Sequence, residues 1–73
     1  MGIISNVKNK IGVVTVQIEG FFTERFINLC KINNIKIWEI RNIVKGVVRF
    51  EISIYDFKKL RKVAKKTKCK VKY

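Results

Sequence analysis

The chain of 73 residues carries seventeen Lys and Arg against five Asp and Glu, a formal net charge of +12, with no His and no Pro. One domain of this length hides only about 60% of the surface its unfolded form exposes, which leaves little room for a deep catalytic cleft. Without His it also lacks the commonest general base and metal ligand, while an apolar share of 48% is too high for a disordered basic tail.

The charge is unevenly spread. Residues 1–57 hold eight basic and five acidic residues, a net of +3; residues 58–73 hold nine basic and no acidic residues, a net of +9. A block of like charge usually repels itself into disorder, but apolar residues interrupt this one at regular spacing, which argues for folded structure. The N-terminus has neither the apolar length of a signal peptide nor the myristoylation pattern, since Asn6 stands where Ser or Thr is required. The longest uncharged run, Ile11 to Ile18, is too short to span a bilayer. Two Cys without a secretory signal read as reduced cytosolic thiols.

Residues 1–10 form a polar lead-in without a strong period, and residues 11–73 read as one domain. From Val13 to Glu19, Val14, Val16 and Ile18 alternate with Thr15, Gln17 and Glu19, the pattern of a half-buried strand. Gly20 breaks it. Phe22, Phe26, Leu29 and Cys30 then form a helical stripe, with Thr23 or a neighbour expected to cap the start and Asn33-Asn34 to mark the stop.

A second strand is predicted from about Ile35 to Asn42 and a third from about Val47 to Ile54, joined through Lys45-Gly46 as an antiparallel hairpin. Val48, Phe50, Ile52 and Ile54 should face inward. A register that buries Trp38 and Ile40 with Phe50 and Val48 leaves Glu39, Arg41, Arg49 and Glu51 together outside, with opposite charges across the pair. Asp56 is the expected N-cap of a second helix whose apolar stripe is Phe57, Leu60, Val63 and Ala64, ending at Thr67. Residues 68–73 alternate strictly, with Lys68, Lys70 and Lys72 on one face and Cys69, Val71 and Tyr73 on the other.

The order strand, helix, strand, strand, helix, strand predicts an α+β domain of the ferredoxin-like βαββαβ type. Its four-stranded antiparallel sheet has both helices on one face, and the right-handed crossover rule puts the first and third strands in the middle. The large aromatics Phe22, Phe26, Trp38, Phe50 and Phe57 all fit the core; Phe21 does not, and is either exposed or packed on the lead-in.

Enzymatic chemistry has little support. Cys30 and Cys69 lack the paired spacing of a zinc site and fall on apolar faces, so they read as buried free thiols. The five carboxylates are scattered, no Gly-rich phosphate loop exists, and no cofactor or metal is expected. Nucleic-acid binding competes better, because fold and charge both invite it. Yet on the third strand the outward positions that an RNA-recognition domain fills with aromatics hold Val47 and Arg49, and the first strand adds Val13, Thr15 and Gln17. Phosphate contact by the basic end would be sequence-independent and salt-sensitive. The candidate site is therefore the cationic set Lys58, Lys59, Arg61, Lys62, Lys65, Lys66, Lys68, Lys70 and Lys72, suited to a polyanionic partner such as an anionic membrane surface, an acidic protein or a phosphate backbone.

Three runs, Glu24-Arg25-Phe26-Ile27-Asn28-Leu29-Cys30, Ile37-Trp38-Glu39-Ile40 and Tyr55-Asp56-Phe57-Lys58-Lys59-Leu60-Arg61-Lys62, together with the Lys-Cys-Lys-Val-Lys end, resemble the N-terminal region of the YqfD sporulation protein family over nearly the whole chain. The resemblance implies a longer membrane protein, made in the mother cell of an endospore-forming bacterium. In it a soluble N-terminal part precedes a transmembrane segment and a larger second part. It implies no catalytic residues. The present sequence stops at Tyr73, before any hydrophobic span, and is either a naturally short form or the first domain of such a protein. Basic residues concentrate on the cytoplasmic flank of a membrane span, so the implied role is a non-enzymatic cytoplasmic-side domain that contacts the membrane surface or other sporulation proteins. A sequence-nonspecific nucleic-acid-binding domain is the second reading.

Overall fold

The computed structural model describes residues 12–73; the lead-in over residues 1–10 lies outside them. Strand β1 (Val13–Glu19) has the predicted bounds and alternation, with Val16 and Ile18 fully buried and Thr15 exposed. It pairs antiparallel with β3 (Val47–Ser53), setting Val16 opposite Phe50 and Ile18 opposite Val48, so the two central strands present one continuous apolar face. β2 (Ile37–Val44) flanks β3, and β4 (Lys70–Lys72) flanks β1. The sheet order is β2-β3-β1-β4, all antiparallel, with the first and third strands central as the crossover rule requires.

Helix α1 (Thr23–Ile32) covers the apolar face, burying Phe26 and Cys30; the Phe26 and Phe50 rings meet at 6.1 Å. The expected side-chain cap is absent. Phe22 occupies the N-cap position, and its carbonyl accepts the Phe26 N–H at 3.0 Å. The stop at Asn33-Asn34 is as expected: Asn34 adopts φ 58°, a conformation asparagine enters more readily than most residues, and the Asn33 amide donates to the Leu29 carbonyl at 2.7 Å.

The second helical region is interrupted. One turn, α2 (Ile54–Phe57), leads through Lys58-Lys59 into α3 (Leu60–Thr67). The cap is Ser53, whose hydroxyl accepts the Tyr55 N–H at 3.2 Å, and not Asp56, which lies inside the turn and pairs with Lys59 at 3.1 Å. Ser53 has the extended backbone of an N-cap, whereas helix has already begun at Ile54. Leu60, Val63 and Thr67 form the buried stripe of α3, which packs against α1. The buried Thr67 hydroxyl is satisfied by the Val63 carbonyl at 2.8 Å. Lys68 then ends the helix at φ 58°.

Strand β2 departs most from expectation. Past an irregularity beside the turn, Asn42 faces Val48 and Arg41 faces Arg49, which keeps the anticipated faces but not a register of opposite charges. A bulge between Trp38 and Arg41 then shifts the pairing by one residue. A one-residue shift turns side chains to the other face. Ile37 thus takes the inner place opposite Ile52, and Trp38 lies opposite Glu51 on the face away from the helices. Ile40 is 44% exposed, and Glu39 has φ 53° within the bulge. The anticipated charge complementarity is also absent, because Arg41 faces Arg49. Arg41 instead reaches Glu39 at 3.7 Å, and Arg49 donates to Gln17 at 3.0 Å.

Two further inward assignments are corrected. Ile54, expected to face inward at the end of the third strand, is 51% exposed and instead begins α2. Phe22 is 55% exposed because its backbone, not its side chain, serves the start of α1. Phe57 packs against the core as expected, half-buried at its margin, with its ring edge against Tyr73 at 4.8 Å.

Candidate functional site

Every residue of the candidate cationic set is exposed. Because Leu60, Val63 and Thr67 claim the inner stripe of α3, Arg61, Lys62, Lys65 and Lys66 are forced outward, continuing the line begun by Lys58 and Lys59. Lys70 and Lys72 belong to a different surface. They share the sheet face with Glu19 and Gln17, opposite to the helices, and Lys68 lies at the turn between the two groups. The nine charges therefore wrap around one side of the domain.

Two grooves accompany them. One of about 650 Å³ runs between α3 and β4, with Phe57, Leu60, Ala64 and Val71 among its apolar lining and Lys58, Arg61 and Lys65 as its cations. The other, about 350 Å³, is bounded by Ile35, Val63, Lys58, Lys59, Lys62 and Lys66. No carboxylate lines either.

The sheet face away from the helices carries a polar chain across three strands. Lys72 contacts Glu19 at 3.1 Å, Gln17 donates to Glu19 at 2.8 Å, and Arg49 donates to Gln17 at 3.0 Å. Trp38 donates its indole N–H to Glu51 at 3.1 Å. The Gln17 hydrogen bond, then the contact and charge of Lys72, with a smaller contribution from Lys70, hold the Glu19 carboxyl below its ordinary value of 4.5. A lowered folded-state value means stability present above the unfolded value and lost as pH falls through the folded one. Thermal stability should therefore decline as pH drops below about 4.5, and Glu19→Gln should remove part of that decline. An identical pH profile for the variant would contradict the pairing.

A third region lies at one end of the sheet. The Gly20 N–H donates to the Gly46 carbonyl at 2.9 Å, locking the β1–α1 junction to the β2–β3 turn, and Glu19 faces Lys70 at the start of β4. Phe21 is 99% exposed there, Phe22 is half-exposed, and Val44 lies beside them in a depression of about 960 Å³ that Arg25 and Lys45 also line, together with Glu24. Lys68 ends α3, and Cys69 after it packs beside Gly20 at this junction. Sequence reasoning left Phe21 open and missed Val44 and Lys45. The available signal was the Phe21-Phe22 pair at a strand break, where one helical stripe has room for only one of them.

Both thiols are free and buried. Burial pushes Cys30 up to about 11, which keeps it a thiol rather than a nucleophilic thiolate. Among the described residues there is no cluster of three or more His, Cys, Asp or Glu that could hold a metal ion, and no helix is long and apolar enough to cross a membrane.

These features define a small α+β domain with a strongly basic helix side, two cation-lined grooves and an aromatic end. The family described as "Putative stage IV sporulation protein YqfD" matches residues 8–73, and the chain belongs to that family, which ties it to sporulation. No curated protein and no solved structure matches it.

Proposed function

We propose that the chain is a non-enzymatic domain on the cytoplasmic side of a sporulation membrane protein, and that it rests on an anionic membrane surface through its aromatic end. We read its strand order and helix-bearing connections as a ferredoxin-like arrangement whose second helix is interrupted. The observation that carries the functional reading is the meeting of Phe21, Phe22 and Val44 with Arg25 and Lys45 at one end of the sheet. A fully exposed Phe has no role in the fold, and fully burying one contributes about 1.5–3 kcal/mol. Each neighbouring cation adds about 1 kcal/mol near anionic lipid. The sum is modest, and suits a domain whose orientation matters more than its recruitment.

Nucleic acid is the weaker reading. The sheet face that would stack bases carries Glu19 and Glu51, and its Trp38 is engaged by Glu51. Co-sedimentation with anionic and neutral vesicles, beside shift assays with DNA and RNA, tests the choice. The chain should prefer anionic vesicles, and Phe21→Ser should weaken that binding about tenfold, the equivalent of 1.4 kcal/mol, with the fold unchanged. Nucleic-acid binding that survives physiological salt without vesicle preference would overturn the proposal.

A further inference from the structure

We infer that the outer edge of β4 and the groove beside it receive an acidic, extended peptide segment, with aliphatic side chains over the groove floor. This stands on observations separate from the membrane reading. β4 is the outermost strand of the sheet, paired only with β1 among the described residues, so one row of its main-chain groups is available to a further strand. The other edge, β2, suits strand addition poorly, because two register shifts and the left-handed Glu39 break its regularity.

The side chains around β4 specify what such a strand must carry. Successive residues of an added strand point alternately to the two faces of the sheet. On the helix side they meet a groove of about 650 Å³, floored by Phe57, Leu60 and Val71 and rimmed by Arg61 and Lys65. On the opposite side they meet Lys70 and Lys72. Apolar residues spaced by two therefore fill the groove, while carboxylates on either face find cations. No acidic residue lines the groove to repel them. Tyr73, 85% exposed yet stacked edge-on against Phe57, forms a wall at one end.

A second copy of the chain fits less well, since pairing β4 with β4 would set lysines against lysines. A strand of three residues also supports few main-chain hydrogen bonds. Affinity must come mainly from the side chains, which makes charge and apolar content separately measurable.

The probe is the end-blocked heptapeptide Glu-Glu-Leu-Glu-Leu-Glu-Glu, which places both Leu on one face. Its counterparts replace Leu by Ser, or Glu by Lys. Amide resonances of the 73-residue chain are followed during titration, with affinity read from the same spectra. The Glu–Leu peptide should shift Lys70–Lys72 and the Arg61–Lys65 turn, the Ser peptide should bind about tenfold more weakly, and the Lys peptide should not bind. Arg61→Glu combined with Lys65→Glu, both on exposed positions, should weaken binding at least about tenfold, while Phe21→Ser leaves it unchanged. Equal binding of the Ser peptide would reduce the contact to unspecific charge attraction and overturn the proposal. So would shifts confined to Lys59, Lys62 and Lys66 or to Phe21, or concentration-dependent broadening of β4 without peptide, which would make the edge a homodimer contact. The unchanged Phe21→Ser response separates failure here from failure of the membrane reading.

Discussion

Replacing Phe50 by Ala is expected to remove most of the stability of the domain. Phe50 is fully buried at the centre of β3, faces Val16 across the sheet, and meets the Phe26 ring of α1 at 6.1 Å. Its removal therefore opens a void where sheet and helix layer join. Truncating a buried Phe costs about 3–5 kcal/mol, while a domain of this size holds in total roughly 4–11 kcal/mol at about 0.05–0.15 kcal/mol per residue. The melting temperature should fall by at least about 12 °C, at 4–8 °C per kcal/mol. Phe21→Ala serves as the contrast: the same side chain is lost at a fully exposed position, and the change should stay within about 0.5 kcal/mol. Denaturant titrations of the two variants decide the matter, and similar losses would contradict the assigned core.

Gly46→Val should have the next largest effect, through the backbone. Gly46 has φ 81°, where side-chain-bearing residues are strained, and a Cβ there would lie 3.1 Å from the Gly20 carbonyl oxygen. That oxygen belongs to backbone already fixed by the Gly20–Gly46 hydrogen bond, so it has no freedom to rotate away. The left-handed conformation alone costs about 1–2 kcal/mol, and the contact raises the expected loss for a β-branched residue above about 2 kcal/mol. Asn tolerates positive φ better than other residues. Gly46→Asn should therefore be the mildest substitution, Gly46→Ala intermediate and Gly46→Val the worst. Any other order in chemical denaturation would mean that the turn is not held as described.

The two central strands were legible in the sequence because both alternate without interruption, and alternation maps directly onto faces when nothing breaks the register. β2 was not, for a definite reason. The bulge at Glu39 inserts a residue that a period of two cannot reveal, and it moved Trp38 to the far face. The helix start went to Asp56 because an acidic residue ahead of an apolar stripe looks like a cap, although Ser53 begins a separate turn three residues earlier. The nine cations were evident as a cluster in the chain; their division between the helix side and the far face of the sheet depends on which way β4 turns its lysines. The aromatic end was the least legible, since Phe21 and Val44 are far apart in the chain and only the strand order brings them to one edge.

The outward turn of Trp38 supplies a built-in optical probe. It is the only tryptophan, and its indole is anchored to Glu51 on the edge strand β2, with β3 and β1 between it and β4. Its emission reports on the integrity of the β2–β3 pairing and is insulated from ligands that settle beside α3. Folding and docking can thus be followed as separate signals in one unlabelled sample.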